Sequence, residues 1–302
     1  MIETLALFLI VAVLPFLRER LRPRMGVAQR AELDGDYIEH GDHPITRLWR
    51  LGPETGPVAV CIHGLSTPSF VWEAIAQGLA ARGYRVIAYD LWGRGGSDRP
   101  AGAQDEAYFL KQLEEVLTHE GIDDQITLIG YSMGGAIATA FALSAPERVA
   151  RLILLAPAGL TIRLGSLARF CAKVPVLGDW VFLTGFPLTH RRYLEAERGM
   201  HTDVPDMVER QVDELRFRGF VPAVLSSMRN MLVVNQHAAH EAIAASGIPV
   251  TAIWGGEDTV IPLVAMGKLA EANRTARQEV VEDAGHGLPY THAARVLDLM
   301  EL

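Results

Sequence analysis

The 302-residue sequence lacks the features that mark several specialised classes of protein. Its two cysteines, Cys61 and Cys171, are too few for the disulfide framework of a small secreted domain. Basic residues are not in excess, since 28 lysines and arginines stand against 36 aspartates and glutamates. The resulting net charge of −8 gives no general attraction for nucleic acid, so we expect no nucleic-acid partner. The sequence also shows no internal repeat and no low-complexity segment.

Motifs that hold metals or nucleotide cofactors are absent as well. The sequence contains no His-Glu-x-x-His and neither of the glycine-rich fingerprints that bind phosphates. His237 and His240 lie three residues apart on a predicted helix and could share a metal ion, but the sequence offers no third ligand for it. We therefore interpret them as a surface pair and expect neither a metal nor a cofactor.

The longest hydrophobic run is short for a membrane span. It covers residues 4–17 and contains Pro15, whereas a full span needs about 20 apolar residues. Positive charge normally precedes the apolar part of a signal peptide, but here Glu3 precedes it and four arginines follow, at 18, 20, 22 and 24. This order favours an uncleaved membrane anchor in residues 1–24, with the main domain on the cytoplasmic side. The alternatives are a cleaved signal peptide and a helix that packs on the protein's own surface or covers a substrate entrance.

The sequence that follows alternates short apolar runs with segments of helical spacing. This pattern predicts an α/β fold, with a mostly parallel central sheet and helices on both faces. Chemistry in such sheets lies beyond the carboxyl ends of the strands, where His63, Asp90 and Ser132 fall. The predicted strands are 36–40, 45–51, 58–62, 84–89, 125–129, 149–155, 248–254 and 277–281, and the predicted helices are 70–82, 105–119, 136–145, 262–272 and 289–300.

The alternation stops for about 75 residues in the second half of the chain. Residues 159–236 contain no clear buried strand, and four prolines should divide them into short helices, at 175, 187, 205 and 222. We therefore expect a core formed by residues 31–158 and 237–302, with 159–236 inserted as a helical cap.

The most informative motif is Gly130-Tyr131-Ser132-Met133-Gly134-Gly135, between a predicted strand and a predicted helix. Glycines before and after Ser132 allow a very tight turn that holds the serine hydroxyl out at the end of the strand. The positive end of the following helix lies beneath that hydroxyl. The motif predicts Ser132 as a nucleophile.

Two later strands end in residues that could activate this serine. Asp258 follows strand 248–254, and His286 follows strand 277–281, so both fall at the same edge of the sheet as Ser132. A base and an orienting carboxylate are what a serine nucleophile needs. Glu257 and Asp90 are rival acids, but we interpret Asp90 as a loop organiser and His63 as a residue that shapes its own loop.

Over residues 31–302 the chain resembles the capped α/β-hydrolases that use a serine nucleophile, such as carboxylesterases and monoacylglycerol lipases. The matching motifs are His63-Gly64, the loop from Asp90 to Pro100, the Ser132 turn, Gly255-x-x-Asp258-x-x-x-Pro262 and Gly285-His286. The resemblance implies an acyl-enzyme on Ser132, with His286 as base and Asp258 as its orienting acid. It also implies an oxyanion hole formed by the backbone N–H groups of Leu65 and Met133.

The resemblance limits the substrate without fixing it. A serine rather than an aspartate nucleophile disfavours haloalkane and epoxide hydrolysis, and His63-Gly64-Leu65 is not the triple glycine of many lipases for bulky alcohols. The apolar cap and N-terminus favour a lipid-like or medium-chain ester such as a monoacylglycerol. C–C bond hydrolysis, thioester or peptide hydrolysis and acyl transfer stay open, as does a non-catalytic ligand-binding protein. The sequence leaves the oligomeric state open.

Overall fold

The computed structural model describes residues 2–41 and 43–302 and contains one eight-stranded sheet. The order of the strands is β1-β2-β4-β3-β5-β6-β7-β8. β2 runs antiparallel to both β1 and β4, and all the other neighbours are parallel, which confirms the predicted mostly parallel sheet. The strands are β1 (Asp36–Ile38), β2 (Thr46–Leu51), β3 (Val58–Ile62), β4 (Arg85–Tyr89), β5 (Ile126–Tyr131), β6 (Val149–Leu155), β7 (Val250–Gly255) and β8 (Arg277–Val281).

Helices cover both faces of the sheet. One face is buried by α4, α5, α10 and α11, and the other by α3 and α13, so each face has its own apolar layer. The central strands are buried on both sides, and all six residues of β5 are buried, as their continuous apolar sequence requires. The helices of the core are α2 (Val27–Arg30), α3 (Glu73–Ala81), α4 (Glu106–His119), α5 (Met133–Ser144), α10 (His237–Ser246), α11 (Val264–Ala272), α12 (Leu288–Thr291) and α13 (Ala293–Leu299).

Four further helices lie between β6 and β7, where the sequence predicts the helical insert. They are α6 (Ser166–Lys173), α7 (Leu177–Ala196), α8 (Met207–Glu214) and α9 (Phe220–Arg229). One prediction is wrong here, because Pro187 lies inside the 20-residue α7 and does not end it. Phe186 stacks on Phe182 at 4.5 Å and on His190 at 4.9 Å between ring centroids, so aromatic packing bridges the turn that the proline interrupts.

The N-terminal segment forms α1 (Ile2–Arg20), which packs against the cap. Trp180 Nε1 of α7 donates to the Val11 carbonyl at 3.0 Å, and Glu19 Oε1 accepts the backbone N–H of Gly219 at 2.7 Å. The side chains of residues 5–9, which belong to the predicted anchor, lie outside the described part of the structure. Within the described part, no helix combines the length and the apolar character needed to cross a bilayer.

Candidate active site

Ser132 lies at a sharp turn between β5 and α5. Its φ of 53° is in the left-handed region, which costs a residue with a side chain about 1–3 kcal/mol. The turn is possible because its neighbours are glycines: a Cβ on Gly134 would overlap the backbone oxygen of Ile62, and a Cβ on Gly135 would lie 2.8 Å from Pro157 Cβ. Ser132 N–H donates to Leu155 O at 2.9 Å, and this bond ties the strained residue to the neighbouring strand.

The three residues that the sequence selects as catalytic lie together in one hydrogen-bonded chain. His286 Nε2 lies 3.0 Å from Ser132 Oγ, and His286 Nδ1 lies 2.7 Å from Asp258 Oδ2. The other carboxylate oxygen, Oδ1, accepts the backbone N–H groups of Val260 and Ile261 at 2.8 Å each. Asp258 is therefore held as an acceptor toward His286, whose other nitrogen is placed to accept the serine proton.

The two backbone groups expected to form the oxyanion hole flank Ser132. Met133 is the first residue of α5, and N–H groups in the first turn of a helix have no acceptor within that helix. Leu65 follows Gly64, where an added Cβ would lie 3.4 Å from Ser132 Cβ, so the loop after β3 runs directly beside the nucleophile. Both residues therefore lie next to Ser132, and their role as an oxyanion hole stays a prediction.

His63 and Asp90 stabilise the loops around the site. His63 is fully buried, its Nε2 accepts Leu91 N–H at 2.8 Å, and burial lowers its pKa to about 4. Asp90 accepts from Arg47 Nη1 at 2.9 Å and from the backbone N–H of Ser69 at 2.8 Å. Burial by itself raises the pKa of Asp90, but the Arg47 charge and these hydrogen bonds bring it below its usual value. Neither residue bonds to Ser132 or His286 within the described chain.

Sequence reasoning missed Arg94, which links the cap to the loop beside Ser132. Its guanidinium is fully buried, and all five of its N–H groups donate to uncharged oxygens. Burial lowers its pKa to about 10. The acceptors are Leu65 O (2.9 Å), Trp92 O (3.0 Å), Gln104 Oε1, Ala223 O (3.5 Å) and Ser227 Oγ (2.8 Å). The only signal for this role in the sequence was the position of the arginine inside a glycine-rich loop.

A cavity of about 310 Å³ opens at His286 and extends beneath the cap. Its lining combines apolar residues such as Met207 and Val208 with polar ones, and it includes no lysine or arginine among the described residues. Glu257 lies on this cavity and is exposed, whereas Asp258 is the carboxylate that bonds to His286. Two larger clefts of 450 and 650 Å³ contain none of the three catalytic candidates.

The two histidines of α10 lie in different environments. The interpretation of both as surface residues is wrong for His240, which is fully buried and whose ring nitrogens have no hydrogen-bond partner in the described chain. Nδ1 of His237 lies 3.6 Å from Oε1 of Glu241. No group of three potential metal ligands occurs within residues 2–41 and 43–302.

Comparison with known proteins agrees with this geometry. A family model described as alpha/beta hydrolase fold matches residues 57–293 of the chain. The chain belongs to the α/β-hydrolase fold family. As an α/β-hydrolase with Ser132 at the sharp turn, it is a serine hydrolase of that family.

Relatives of this α/β-hydrolase have several activities. It is 31% identical over 238 residues to the 2-hydroxymuconate semialdehyde hydrolase of Pseudomonas sp., covering 76% of this chain and 79% of the relative. It is 24% identical over 282 residues to monoacylglycerol lipase ABHD6 of Rattus norvegicus, covering 87% and 81%. A solved structure of a membrane phospholipase A, described as a bacterial virulence factor, is 21% identical and superposes with a TM-score of 0.69, covering 99% of this chain and 97% of the other. The fold is therefore shared over nearly the whole chain.

Proposed function

We propose that this α/β-hydrolase hydrolyses carboxylic esters through an acyl-enzyme on Ser132. The observation that carries the proposal is the continuous chain from Ser132 Oγ to His286 and Asp258, with bonds of 3.0 and 2.7 Å. Ser132 Oγ attacks the ester carbonyl while His286 Nε2 takes its proton. Asp258 keeps the remaining proton on Nδ1 and stabilises the imidazolium that forms.

The second half of the reaction uses the same groups. The Leu65 and Met133 N–H groups stabilise the negative oxygen of the tetrahedral intermediate, a contribution of about 3–4 kcal/mol for one such donor. His286 then gives its proton to the leaving alcohol, which departs and leaves the acyl group on Ser132. Water, deprotonated by His286, releases the acid and restores Ser132.

The charge around the cavity favours a neutral ester. Three of its lining residues, Glu197, Glu257 and Asp283, are carboxylates, and no lysine or arginine lines it within the described chain. An anionic substrate would meet like charge without a fixed cation to pair with it. The apolar walls formed by residues such as Met207 suit an acyl chain, so we infer a lipid-like or medium-chain ester such as a monoacylglycerol.

The central test is an activity screen over acyl chain length with p-nitrophenyl esters and monoacylglycerols. Ser132→Ala should lower kcat by about 10⁴-fold or more, because the covalent route is lost. Ser144→Ala, on the exposed end of the same helix, is the matched control and should behave as wild type. Retention of activity in Ser132→Ala would reject the acyl-enzyme. A higher kcat/KM for thioesters, amides or vinylogous diketones would reject the ester assignment.

We further propose that α1 attaches the enzyme to the cytoplasmic face of a membrane by lying on it. Exposed apolar side chains of α1 and of the start of α7 form one surface, which we call the apolar tip. Its exposed fractions are 60% at Ile10, 54% at Val13 and Leu14, 74% at Val176 and 56% at Leu177. The Trp180 bond to Val11 places the two parts side by side. Exposed cations flank the tip, at Arg18, Arg20, Arg169 and Lys173, and these would meet anionic headgroups.

Vesicle co-sedimentation tests the attachment with the full-length chain. Leu14→Glu combined with Val176→Glu should reduce binding to vesicles of phosphatidylcholine and phosphatidylglycerol at least about tenfold, since two charges enter the apolar contact. Turnover of p-nitrophenyl acetate should stay unchanged. Leu143→Glu, at an exposed apolar residue of α5, is the control. Equal sedimentation of the double variant and wild type would reject the apolar tip as the contact.

A further inference from the structure

The two N–H groups expected to form the oxyanion hole differ in what holds them. Met133 is the first residue of α5, so the helix fixes the direction of its N–H. Leu65 lies in the loop after β3, outside the helices and strands of the described chain. The direction of its N–H therefore depends on the contacts that hold this loop.

The peptide unit that carries the Leu65 N–H is held through its carbonyl group. Nε2 of His63 accepts Leu91 N–H at 2.8 Å, so the proton of the neutral ring lies on Nδ1. Nδ1 lies 2.8 Å from Gly64 O and donates to it. Because a peptide unit is planar, a bonded Gly64 carbonyl also restricts the N–H of Leu65, which belongs to the same unit.

Arg94 holds the next carbonyl along the loop. Its Nε donates to Leu65 O at 2.9 Å, so the carbonyls on both sides of Leu65 are bonded. A residue has only two soft backbone angles, and two bonded carbonyls leave little freedom for the N–H between them. Arg94 is thus the second group that sets the direction of the expected oxyanion donor.

The guanidinium of Arg94 is itself anchored on the cap. Its Nη2 donates to Ser227 Oγ of α9 at 2.8 Å, and Ser227 Oγ donates to Gln104 Oε1 at 2.6 Å. Arg94 and Ser227 are fully buried, and neither lines the 310 Å³ cavity at His286. Arg94 therefore connects α9 to the loop without contacting that cavity.

The chemistry of this link suits positioning better than stabilisation. Burial lowers the pKa of Arg94 to about 10, so the group keeps its charge at neutral pH. A buried charge whose acceptors are all uncharged adds little net stability. A rigid fork of donors, by contrast, holds several acceptors in one geometry.

We propose that Arg94 is a positioning residue that orients the Leu65 N–H toward the oxyanion, with Ser227 of the cap as its anchor. The inference rests on the proposed acyl-enzyme reaction and adds a contribution of the cap to kcat. Such a link stabilises the transition state more than the bound substrate, so its loss lowers kcat and leaves KM nearly unchanged.

The test measures kcat and KM for p-nitrophenyl acetate, and the Ki of a trifluoromethyl ketone whose adduct with Ser132 carries a negative oxygen. Ser227→Ala should lower kcat about 3- to 10-fold, and Arg94→Met about 10- to 100-fold, which approaches the loss of one oxyanion donor. KM should change less than about twofold. The Ki should rise by the same factor as kcat/KM falls.

Ser226→Ala is the matched control, since it removes the same hydroxyl from the neighbouring residue of α9. Ser226 Oγ donates to Gly102 O at 2.8 Å and accepts Gln104 N–H at 3.1 Å, so it also joins the cap to the core, but without Arg94. This variant should keep kcat and the Ki within about twofold of wild type.

The two serine variants and the inhibitor separate the outcomes. If Arg94→Met folds poorly by circular dichroism, Ser227→Ala decides. Equal losses in Ser226→Ala and Ser227→Ala would show a general loosening of the cap, and a lower kcat with an unchanged Ki would show a role unrelated to the oxyanion; either result overturns the proposal. If wild type hydrolyses no ester, the proposed function fails and this role with it; if wild type is active and Ser227→Ala equals it, only the Arg94 link fails.

Discussion

At the scale of single residues, Gly134 is a position where an added methyl group would disturb the turn that holds the nucleophile. An added Cβ would overlap the Ile62 carbonyl oxygen of the neighbouring strand, so Gly134→Ala should force β3 and α5 apart. We expect a loss of about 3 kcal/mol in the free energy of unfolding and a large loss of esterase activity. Urea denaturation and p-nitrophenyl ester turnover measure the two effects.

Gly267 is the matched control, since it also lies in a helix but has open space where its Cβ would go. Gly267→Ala should raise the free energy of unfolding by about 0.5–1 kcal/mol, because alanine is the better helix former. If both alanine variants were equally stable, the close approach at Gly134 would not limit the turn.

The residues around the site differ in how far the sequence could predict them. Ser132, Asp258 and His286 each follow a predicted strand, and parallel strands bring such residues to one edge, so the sequence alone indicated that they meet. Arg94 could not be found in this way. Its partner Ser227 is more than 100 residues away in sequence and lies in the cap, where no strand order fixes the neighbours.

At the scale of elements, Arg94 is the main polar link between the cap and the loop of the oxyanion hole. Lysine cannot reproduce a fork of five donors, so Arg94→Lys should leave buried acceptors such as the Leu65 carbonyl without their donor. We expect a loss of about 3 kcal/mol in the free energy of unfolding, together with a lower kcat as the loop shifts.

The control for this link is Arg82→Lys, directly after the end of α3. Arg82 pairs with Asp298 at 3.5 Å on the surface, where such pairs contribute little, so the change should be below about 0.5 kcal/mol. Equal small effects at both positions would show that Arg94 is not needed to hold the cap in place.

Pro187 shows why elements of the cap are harder to predict than those of the core. A proline removes one backbone donor, which ordinarily ends or bends a helix. In α7 the rings of Phe182, Phe186 and His190 stack across it and keep both halves in line. Because tertiary packing decides the outcome, local sequence rules fail there, whereas the strands of the core agree with their apolar patterns to within a few residues.

At the scale of the whole molecule, stability should fall in mild acid. Burial lowers the pKa of His63, His190 and His240 to about 4, below the usual value of 6.5. Between these values the unfolded chain binds protons that the folded chain does not, so each group favours unfolding as the pH falls from about 6.5 toward 4. Their contribution to the free energy of unfolding is fully present above pH 6.5.

His240 allows this acid sensitivity to be tested. Its buried ring has no hydrogen-bond partner in the described chain, so replacing it breaks no hydrogen bond there. His240→Leu should remove about 2 kcal/mol of the stability difference between pH 7.5 and pH 5, as one shifted group predicts. Urea denaturation at the two pH values measures it. His40→Leu, where the ring is in water in both states, should keep the wild-type difference. An unchanged difference in His240→Leu would mean that this histidine is protonated in the folded protein, and the acid sensitivity would then have to come from other groups.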